Sequence, residues 1–170
     1  IDPIDVIDGI PLKNLIAKRT ENLIVPSLKE KIERATKKEF PSGIPSFGAD
    51  ALRLTFASLA SGSRDINFDI KRVEGYRNFC NKLWNASRFI KLQCKGYKKS
   101  KKLSEDPIDK WIRLEFNKSL EGYVDHIDNS RFDLATQVLY EFIWEKLCDW
   151  YIEFCKIRLN DQSIGKAEKA

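Results

Sequence analysis

Methionine is absent from the 170 residues of this chain, and histidine occurs only once, at His126. The first residues, Ile1 to Pro3, show neither an initiator methionine nor the basic-then-apolar pattern of a signal peptide. We therefore expect the sequence to be an internal piece of a longer polypeptide. No run of about 18 apolar residues is present, so the sequence predicts no membrane span and no membrane partner.

Glycine and proline are scarce, with 8 and 6 residues respectively, so the chain has few obvious breaks between elements. None of the four cysteines (Cys80, Cys94, Cys148 and Cys155) is spaced from another as C-x-x-C, the pattern of many zinc and redox sites. The usual state of such residues is a reduced, buried thiol in a cytosolic protein. The sequence therefore predicts a cytoplasmic location.

Motifs of catalysis are also lacking. There is no glycine-rich phosphate loop and no H-E-x-x-H pair, and His126 has no cysteine or carboxylate cluster around it at ligand spacing. We predict no catalytic residue, no metal ligand and no cofactor bound by this chain.

What the chain does contain is helical periodicity along most of its length. Helices are predicted for about 11–22, 26–40 with Ser27 as N-cap, 49–60, 70–92 with Asp69 as N-cap, a stretch starting at Asp106 and Pro107, and 132–159. At most one minimal strand is expected, at 66–69. Residues 95–102 and 162–170 are interpreted as a lysine-rich linker and a polar tail.

The three long helices each carry one wide apolar face and therefore predict an all-α bundle. The expected inward residues are Ile108, Trp111, Ile112, Phe116, Leu120, Val124 and Ile127 on one helix, and Leu134, Val138, Phe142, Leu147, Tyr151 and Phe154 on the last. The many aromatic residues on the last helix indicate a bundle that is incomplete at the C-terminus.

The helix predicted for 70–92 has two different faces. One is expected to face the core: Val73, Tyr76, Cys80, Leu83, Ser87 and Ile90. The other is polar, cationic and free of acids, and we call it the polar stripe: Lys71, Gly75, Asn78, Lys82, Asn85 and Phe89. Lysines can neutralise phosphates, amides can bond to base edges and a phenyl ring can stack a base, so this face suits single-stranded RNA. A solvated face that ends in a packed phenylalanine is the alternative, and a net charge of +5 fits either reading.

Several stretches resemble one protein family. Residues 47–53 (FGADALR) resemble the G-A-D-A-L-R element of class I aminoacyl-tRNA synthetases, and Ile1-Asp2-Pro3 resembles the end of the G-N-V-I-D-P continuation that follows the K-M-S-K-S loop. Residues 57–60, 64–69 and 75–89 (GYRNFCNKLWNASRF), with 141–151, resemble the valine–tRNA ligase family in particular. The insertion at 19–45 is similar to one in many of its members. The resemblance covers residues 1–159.

This resemblance implies an enzyme that joins valine to its tRNA with ATP and Mg²⁺, is cytoplasmic and is a monomer. The H-I-G-H and K-M-S-K-S motifs of the reaction centre are absent here, so the piece alone is predicted to be inactive. The resemblance further implies a mostly helical stem-contact segment at 1–68 and an anticodon-binding helical bundle at 69–170. In the family, the long helix reads the anticodon at positions matching Lys71, Lys82 and Phe89.

The expected partner is the anticodon stem-loop of valine tRNA, contacted by Lys71, Asn78, Lys82, Asn85 and Phe89. Two alternatives stay open: a helical RNA- or protein-interaction module without tRNA specificity, and the matching part of an isoleucine– or leucine–tRNA ligase. If the first reading holds, Phe89 should be substantially exposed and share a face with the two lysines.

Overall fold

The computed structural model describes residues 1–61, 68–96 and 103–160. Three predicted segments therefore lie wholly or partly outside the described residues: the strand at 66–69, the lysine-rich linker at 95–102 and the polar tail at 162–170. The N-terminal region contains, in order, α1 (Pro3–Asp8), β1 (Ile10–Pro11), α2 (Leu12–Thr20), a 3₁₀ turn (Pro26–Leu28), α3 (Lys29–Glu39), β2 (Gly43–Ile44) and α4 (Ala49–Leu59).

The rest of the described chain is helical, which confirms the all-α prediction. It comprises α5 (Ile70–Gln93), α6 (Pro107–Asp128), α7 (Phe132–Tyr140), a π-helical segment (Glu141–Tyr151) and α8 (Ile152–Asn160). The last three follow one another without a break, since the residues at both junctions keep helical dihedral angles. They form the long final helix that the sequence predicts.

The predicted Asp69 cap is confirmed, and so is the predicted helix start at Asp106 and Pro107. The side chain of Asp69 accepts a hydrogen bond from the backbone N–H of Lys71, and Asp106 caps α6 through the N–H of Ile108. The predicted Ser27 cap is wrong, because Ser27 lies within the 3₁₀ turn and α3 begins two residues later without a side-chain cap. The prolyl φ angle of Pro26 favours this short tight turn.

A minimal two-stranded sheet, not foreseen at these positions, ties the N-terminal region together. Ile10 pairs with Ile44 and Pro11 with Gly43, antiparallel. Gly43 has φ +88°, and a Cβ atom there would lie 2.6 Å from the backbone nitrogen of Leu12. Only glycine fits this approach, so the residues between β1 and β2, which include α2 and α3, are closed into one loop. The predicted helix at 11–22 corresponds to α2, but α1 was missed.

The buried residues form two clusters, and α5 contributes to both. The first cluster lies in the N-terminal region and includes Val6, Leu15, Phe40 and Leu52, with Val73 of α5 fully buried among them. The second is built by Phe79 of α5 with Ile143, Cys148 and Ile152 from the last helices. The two predicted domains thus meet on α5, and the boundary between residues 68 and 69 stays a prediction.

The π-helical segment changes which residues of the last helix face inward. The deepest side chains are Ala135, Thr136, Ile143, Cys148 and Ile152. From Ile143 onward their spacing is five and then four residues, because the wide turns of a π-helix bring every fourth or fifth residue back to one side. Phe142 and Leu147 pack beside this line, as predicted for inward residues, and Leu134, Val138, Tyr151 and Phe154 are half-buried.

Helix α6 is packed only along part of its predicted stripe. Ile112 is buried, whereas Phe116, Leu120 and Val124 are each close to half exposed. These three were wrongly predicted to be interior. Helix α6 packs mainly on α7 and the π-helical segment, which leaves these three apolar side chains close to half exposed.

All four cysteines are free thiols, as predicted, but only Cys148 is buried; Cys80 and Cys155 are half-buried, and Cys94 is exposed, which corrects the expectation of burial for that residue. Burial raises the pKa of the Cys148 thiol, which keeps it protonated and unreactive at neutral pH. In residues 1–61, 68–96 and 103–160, no helix combines the length and the apolar character needed to cross a membrane.

Candidate functional site

Helix α5 carries a long run of cationic residues after Glu74, its one acidic residue. Between Gly75 and Gly96 it contains several lysines and arginines and no aspartate or glutamate. Such a run presents positive charge without neighbouring acids on the same helix. A polyanion would therefore meet a favourable field along it.

Gly75 of the polar stripe is exposed to solvent, and so are the three polar side chains of Lys71, Asn78 and Asn85. They recur every seven residues along α5, which keeps them on one side of the helix. Their side chains offer an ammonium group and two amides, able to contact phosphate oxygens and base edges. The structure thus leaves this part of the predicted site open.

The side chain of Lys82 is partly buried and is held by contacts with the last helices. Its Nζ lies 2.6 Å from Oδ1 of Asp149 and 3.8 Å from the ring centre of Trp144. The Trp144 ring in turn stacks on Tyr140, with ring centres 5.4 Å apart, and Tyr140 stacks on Phe79. Lys82 therefore ends a column of three aromatic rings that joins α5 to the final helix.

Phe89 is half-buried, which corrects the prediction that it is substantially exposed. Its ring packs against the second cluster, and Nζ of Lys156 lies 5.7 Å from the ring centre. Phe89 and Lys82 do share a face, as predicted, but that face meets the last helices. Lys71 lies on the same side of α5, close to the N-terminus of the helix, and is exposed to solvent.

The predicted core-facing stripe of α5 is correct only at its start. Val73 is buried and Tyr76 and Cys80 are half-buried, whereas Ser87 is exposed and Leu83 and Ile90 are 37% and 42% exposed. The reason is that α5 has two neighbours on different sides. Its first turns pack on α4, and from Phe79 onward it packs on the π-helical segment through Phe79, Ala86 and Phe89.

A polar cluster fixes α6 against α8. Arg158 donates to both Asp106 and Asp109, with its Nη2 2.9 Å from Oδ1 of Asp109, and the Tyr151 hydroxyl donates to the same oxygen at 3.0 Å. Burial alone would raise the pKa of Asp109, but hydrogen bonds from Arg158, Ser104 and Tyr151 outweigh it and hold the pKa below its usual value. Burial also raises the pKa of Tyr151. These shifts keep a charged carboxylate and a neutral phenol, so the cluster is structural.

A groove between α4, α5 and α7 has the opposite electrostatic character. It is lined by Tyr76 and Tyr140 together with the carboxylates of Asp133, Glu141 and Glu145. The Arg131 guanidinium lowers the pKa of Asp133 to about 2, so this carboxylate is ionised at neutral pH. Three acidic side chains repel phosphate, and the groove does not suit RNA.

Some exposed residues of α5 were not selected from the sequence. Trp84 is 72% exposed, and Arg88 and Lys91 follow it at four and seven residues. Their spacing could have been read as a third face of α5. This face was missed because the exposure of an apolar residue such as Trp84 cannot be inferred without knowing which elements pack on the helix.

Comparison with known proteins agrees with this architecture. The family described as the anticodon-binding domain of tRNA ligase matches residues 109–170, which places the end of the bundle in that class. Valine–tRNA ligase of Francisella tularensis is 52% identical over 169 residues, covering 99% of this chain and 18% of the relative. The valine–tRNA ligase of Psychrobacter arcticus is 49% identical over 178 aligned positions, covering 100% of this chain and 18% of that protein.

A third such enzyme, from Buchnera aphidicola, is 54% identical over 160 residues, or 92% of this chain and 17% of the relative. Along nearly its whole length, the chain is similar to one segment of these valine–tRNA ligases. It spans about 18% of the length of the relatives that it matches.

Proposed function

We propose that this chain is the tRNA-binding segment of a valine–tRNA ligase and holds the anticodon stem-loop of valine tRNA. The observation that carries the proposal is the near-complete match of the chain to valine–tRNA ligases, at about half identical residues, with the anticodon-binding family at 109–170. The acid-free run of α5 supplies a physical reason for RNA affinity. Its cations neutralise phosphates and release bound counterions.

Contact with the anticodon loop is proposed for Lys71, Asn78, Lys82, Asn85 and Phe89. Exposure of Lys71, Asn78 and Asn85 supports this assignment directly. Lys82 and Phe89 are partly accessible and are held in place by the last helices, so they would meet RNA with little loss of side-chain freedom. The distance along the helix from Lys71 to Phe89 is about 27 Å, so the two ends of the stripe would touch different parts of the RNA.

The parent enzyme is proposed to attach valine to its tRNA in translation, using ATP and Mg²⁺, as a cytoplasmic monomer. The H-I-G-H and K-M-S-K-S motifs of the reaction centre are not in this sequence. The proposal therefore assigns ATP and Mg²⁺ to parts of the parent enzyme outside this segment, which would itself perform no chemistry.

A binding measurement tests this function. The 170-residue chain is titrated with fluorescently labelled anticodon stem-loops of valine tRNA and of several other tRNAs, all at one salt concentration, because salt alone changes affinity strongly. The proposal expects the valine stem-loop to bind tightest. Equal affinity for every stem-loop would instead support a helical module without tRNA specificity.

The contribution of Phe89 is tested in the same assay. Replacing Phe89→Ala should weaken binding of the valine stem-loop by about tenfold, the usual effect of losing one stacked base. Phe132→Ala is the matched control, since Phe132 is an exposed phenylalanine at the start of α7. Equal affinity of the two variants for the stem-loop would contradict the assignment of Phe89.

A further inference from the structure

A third face of α5, which we call the basic face, consists of Trp84, Arg88, Lys91 and Lys95. These residues are spaced four, three and four residues apart, so they follow one another along one side of the helix and its C-terminal turn. Asn81 and Asn85 flank the tryptophan and are also exposed. The face lies away from Phe89, which turns toward the last helices.

Every member of the basic face is open to solvent. Trp84 is 72% exposed, whereas Trp111 and Trp144 are half-buried within the bundle. Among the described residues, Arg88, Lys91 and Lys95 form no ion pair, in contrast to Lys82 with its Asp149 partner. The charges of the basic face are thus uncompensated within this part of the chain.

Helix electrostatics explain only part of this arrangement. Cations in the last turn of a helix are stabilised by its macrodipole, which accounts for Lys91 and Lys95. The effect fades beyond one turn, and Arg88 and Trp84 lie further inside the helix. A solubilising role also fails for Trp84, because exposing a large indole costs free energy without a ligand to cover it.

We propose that the basic face binds a single-stranded stretch of RNA, with one unpaired base stacked on Trp84 and the following phosphates neutralised by Arg88, Lys91 and Lys95. The proposal rests on the proposed function and adds to it a second RNA contact, separate from the polar stripe. Trp84 and Lys95 are about 16 Å apart along the helix, which is enough for several nucleotides. An indole beside cations and amides is a common way to hold nucleic acid without strict sequence readout.

A protein segment is the competing occupant, and the charge pattern disfavours it. Three cations follow the one apolar side chain of this face, so a protein partner would have to be strongly acidic as well as apolar. RNA satisfies both requirements with one chemical unit, since each nucleotide carries a phosphate and a flat ring. Binding of a protein segment at this face, in place of RNA, would contradict the proposal.

The test uses the 170-residue chain and two probes of equal length: the valine anticodon stem-loop and a blunt RNA duplex without unpaired bases. Trp84→Ala should weaken binding of the stem-loop by about tenfold and leave the duplex nearly unchanged, because only the loop offers a base to stack. Trp84→Phe should retain most of the affinity, since a phenyl ring still stacks. Trp150→Ala is the control, an exposed tryptophan on the π-helical segment.

Charge is tested separately by the double variant Arg88→Gln/Lys91→Gln. The slope of log affinity against log salt should fall by about 1.4 for two lost phosphate contacts on a single strand. Lys31→Gln on α3, an exposed lysine outside the bundle, should leave the slope for the stem-loop unchanged. Circular dichroism of each variant establishes that it is folded.

Three results would overturn the proposal. Wild-type affinity in folded Trp84→Ala, an equal loss with loop and duplex, or an unchanged salt slope in the double variant each contradicts base stacking or phosphate contact at this face. If valine stem-loop binding itself persists in these variants and still prefers valine tRNA, the proposed function stands and only the basic face is wrong. If the wild-type chain binds no RNA, both proposals fail.

Discussion

Lys82 fits the pattern of an RNA-binding face in the sequence, but in the structure its contacts stabilise the fold. Its ammonium group interacts with the Asp149 carboxylate and the Trp144 ring at the same time. A phosphate would have to compete with Asp149 for the same charge. Lys82 therefore has a stabilising role whether or not it also touches RNA.

Replacing Lys82→Met should lower the free energy of unfolding by about 1–2 kcal/mol, the sum of a partly exposed cation–π contact and a surface ion pair. Urea denaturation followed by circular dichroism measures the change. Lys118→Met is the control, since Lys118 is an exposed lysine in an ion pair with no aromatic ring beside it. An equal and small loss in both variants would show that the contact with Trp144 does not stabilise the bundle.

Helix α5 separates what the sequence could predict from what it could not. Its limits were predictable because Asp69 is a strong N-cap and residues beyond Gln93 lose helical periodicity. Its outward faces were not, because they depend on which elements pack on each half. Seen alone, Phe89 and Trp84 are two aromatic residues on a basic helix, and only the positions of the last helices make one half-buried and the other exposed.

The prediction of the inward residues of the last helix was wrong for a different reason. Periodicity assumes 3.6 residues per turn, and the π-helical segment breaks that assumption after Tyr140. As a result, Ile143, Cys148 and Ile152 form its most buried line, and a stripe that assigned Phe154 to the interior drifted away from it. For the polar stripe of α5, both interpretations stay open, an RNA-binding face and a solvated face that ends in a packed phenylalanine, since its contacts with RNA are predictions.

At the same scale, the contact between α6 and α8 should depend on pH. Because the pKa of Asp109 is lowered in the folded chain, its carboxylate contributes stability that is present above the ordinary pKa of about 3.9 and is lost as the pH falls through the lowered value. Asp109→Asn should cost about 1–3 kcal/mol at neutral pH.

The same variant should show a flatter decline of unfolding free energy below about pH 4 than the unmodified chain. Urea titrations at a series of pH values give both curves. Glu121→Gln serves as control, because Glu121 is exposed on the same helix. Parallel curves for Asp109→Asn and the unmodified chain would show that Asp109 is not the group that titrates.

At the scale of the whole molecule, α5 contributes buried side chains to both clusters, and α4 also reaches both, with Leu52 in the first and Leu54 packed against the second. Val73 is fully buried in the first cluster and Phe79 is buried in the second, six residues further along one helix. Arg77 adds a connection, since its Nη1 donates to the carbonyl of Ser46 at 3.2 Å and its guanidinium lies over the Phe47 ring. Unfolding of either cluster should therefore disturb the other.

The tryptophans allow this coupling to be measured, because all four lie at or beyond residue 84 and none is in the N-terminal region. Leu15→Ala, a cavity-forming change deep in the first cluster, should cost about 2–5 kcal/mol. The loss should appear equally in tryptophan fluorescence and in far-ultraviolet circular dichroism during urea unfolding. An unchanged fluorescence midpoint, with only the dichroism shifted, would mean that the two clusters unfold independently.

The wide turns of the π-helical segment make the number of residues in the final helix as important as their chemistry. Deleting one residue between Tyr140 and Ile152 would rotate α8 by about a quarter of a turn relative to α7. That rotation would carry Ile152 out of the second cluster and Arg158 away from Asp109. A relative with a single insertion or deletion here should therefore carry a compensating change elsewhere in the same helix. Without that change, residues that follow the gap would lie on a different face of the helix from the residues they align with.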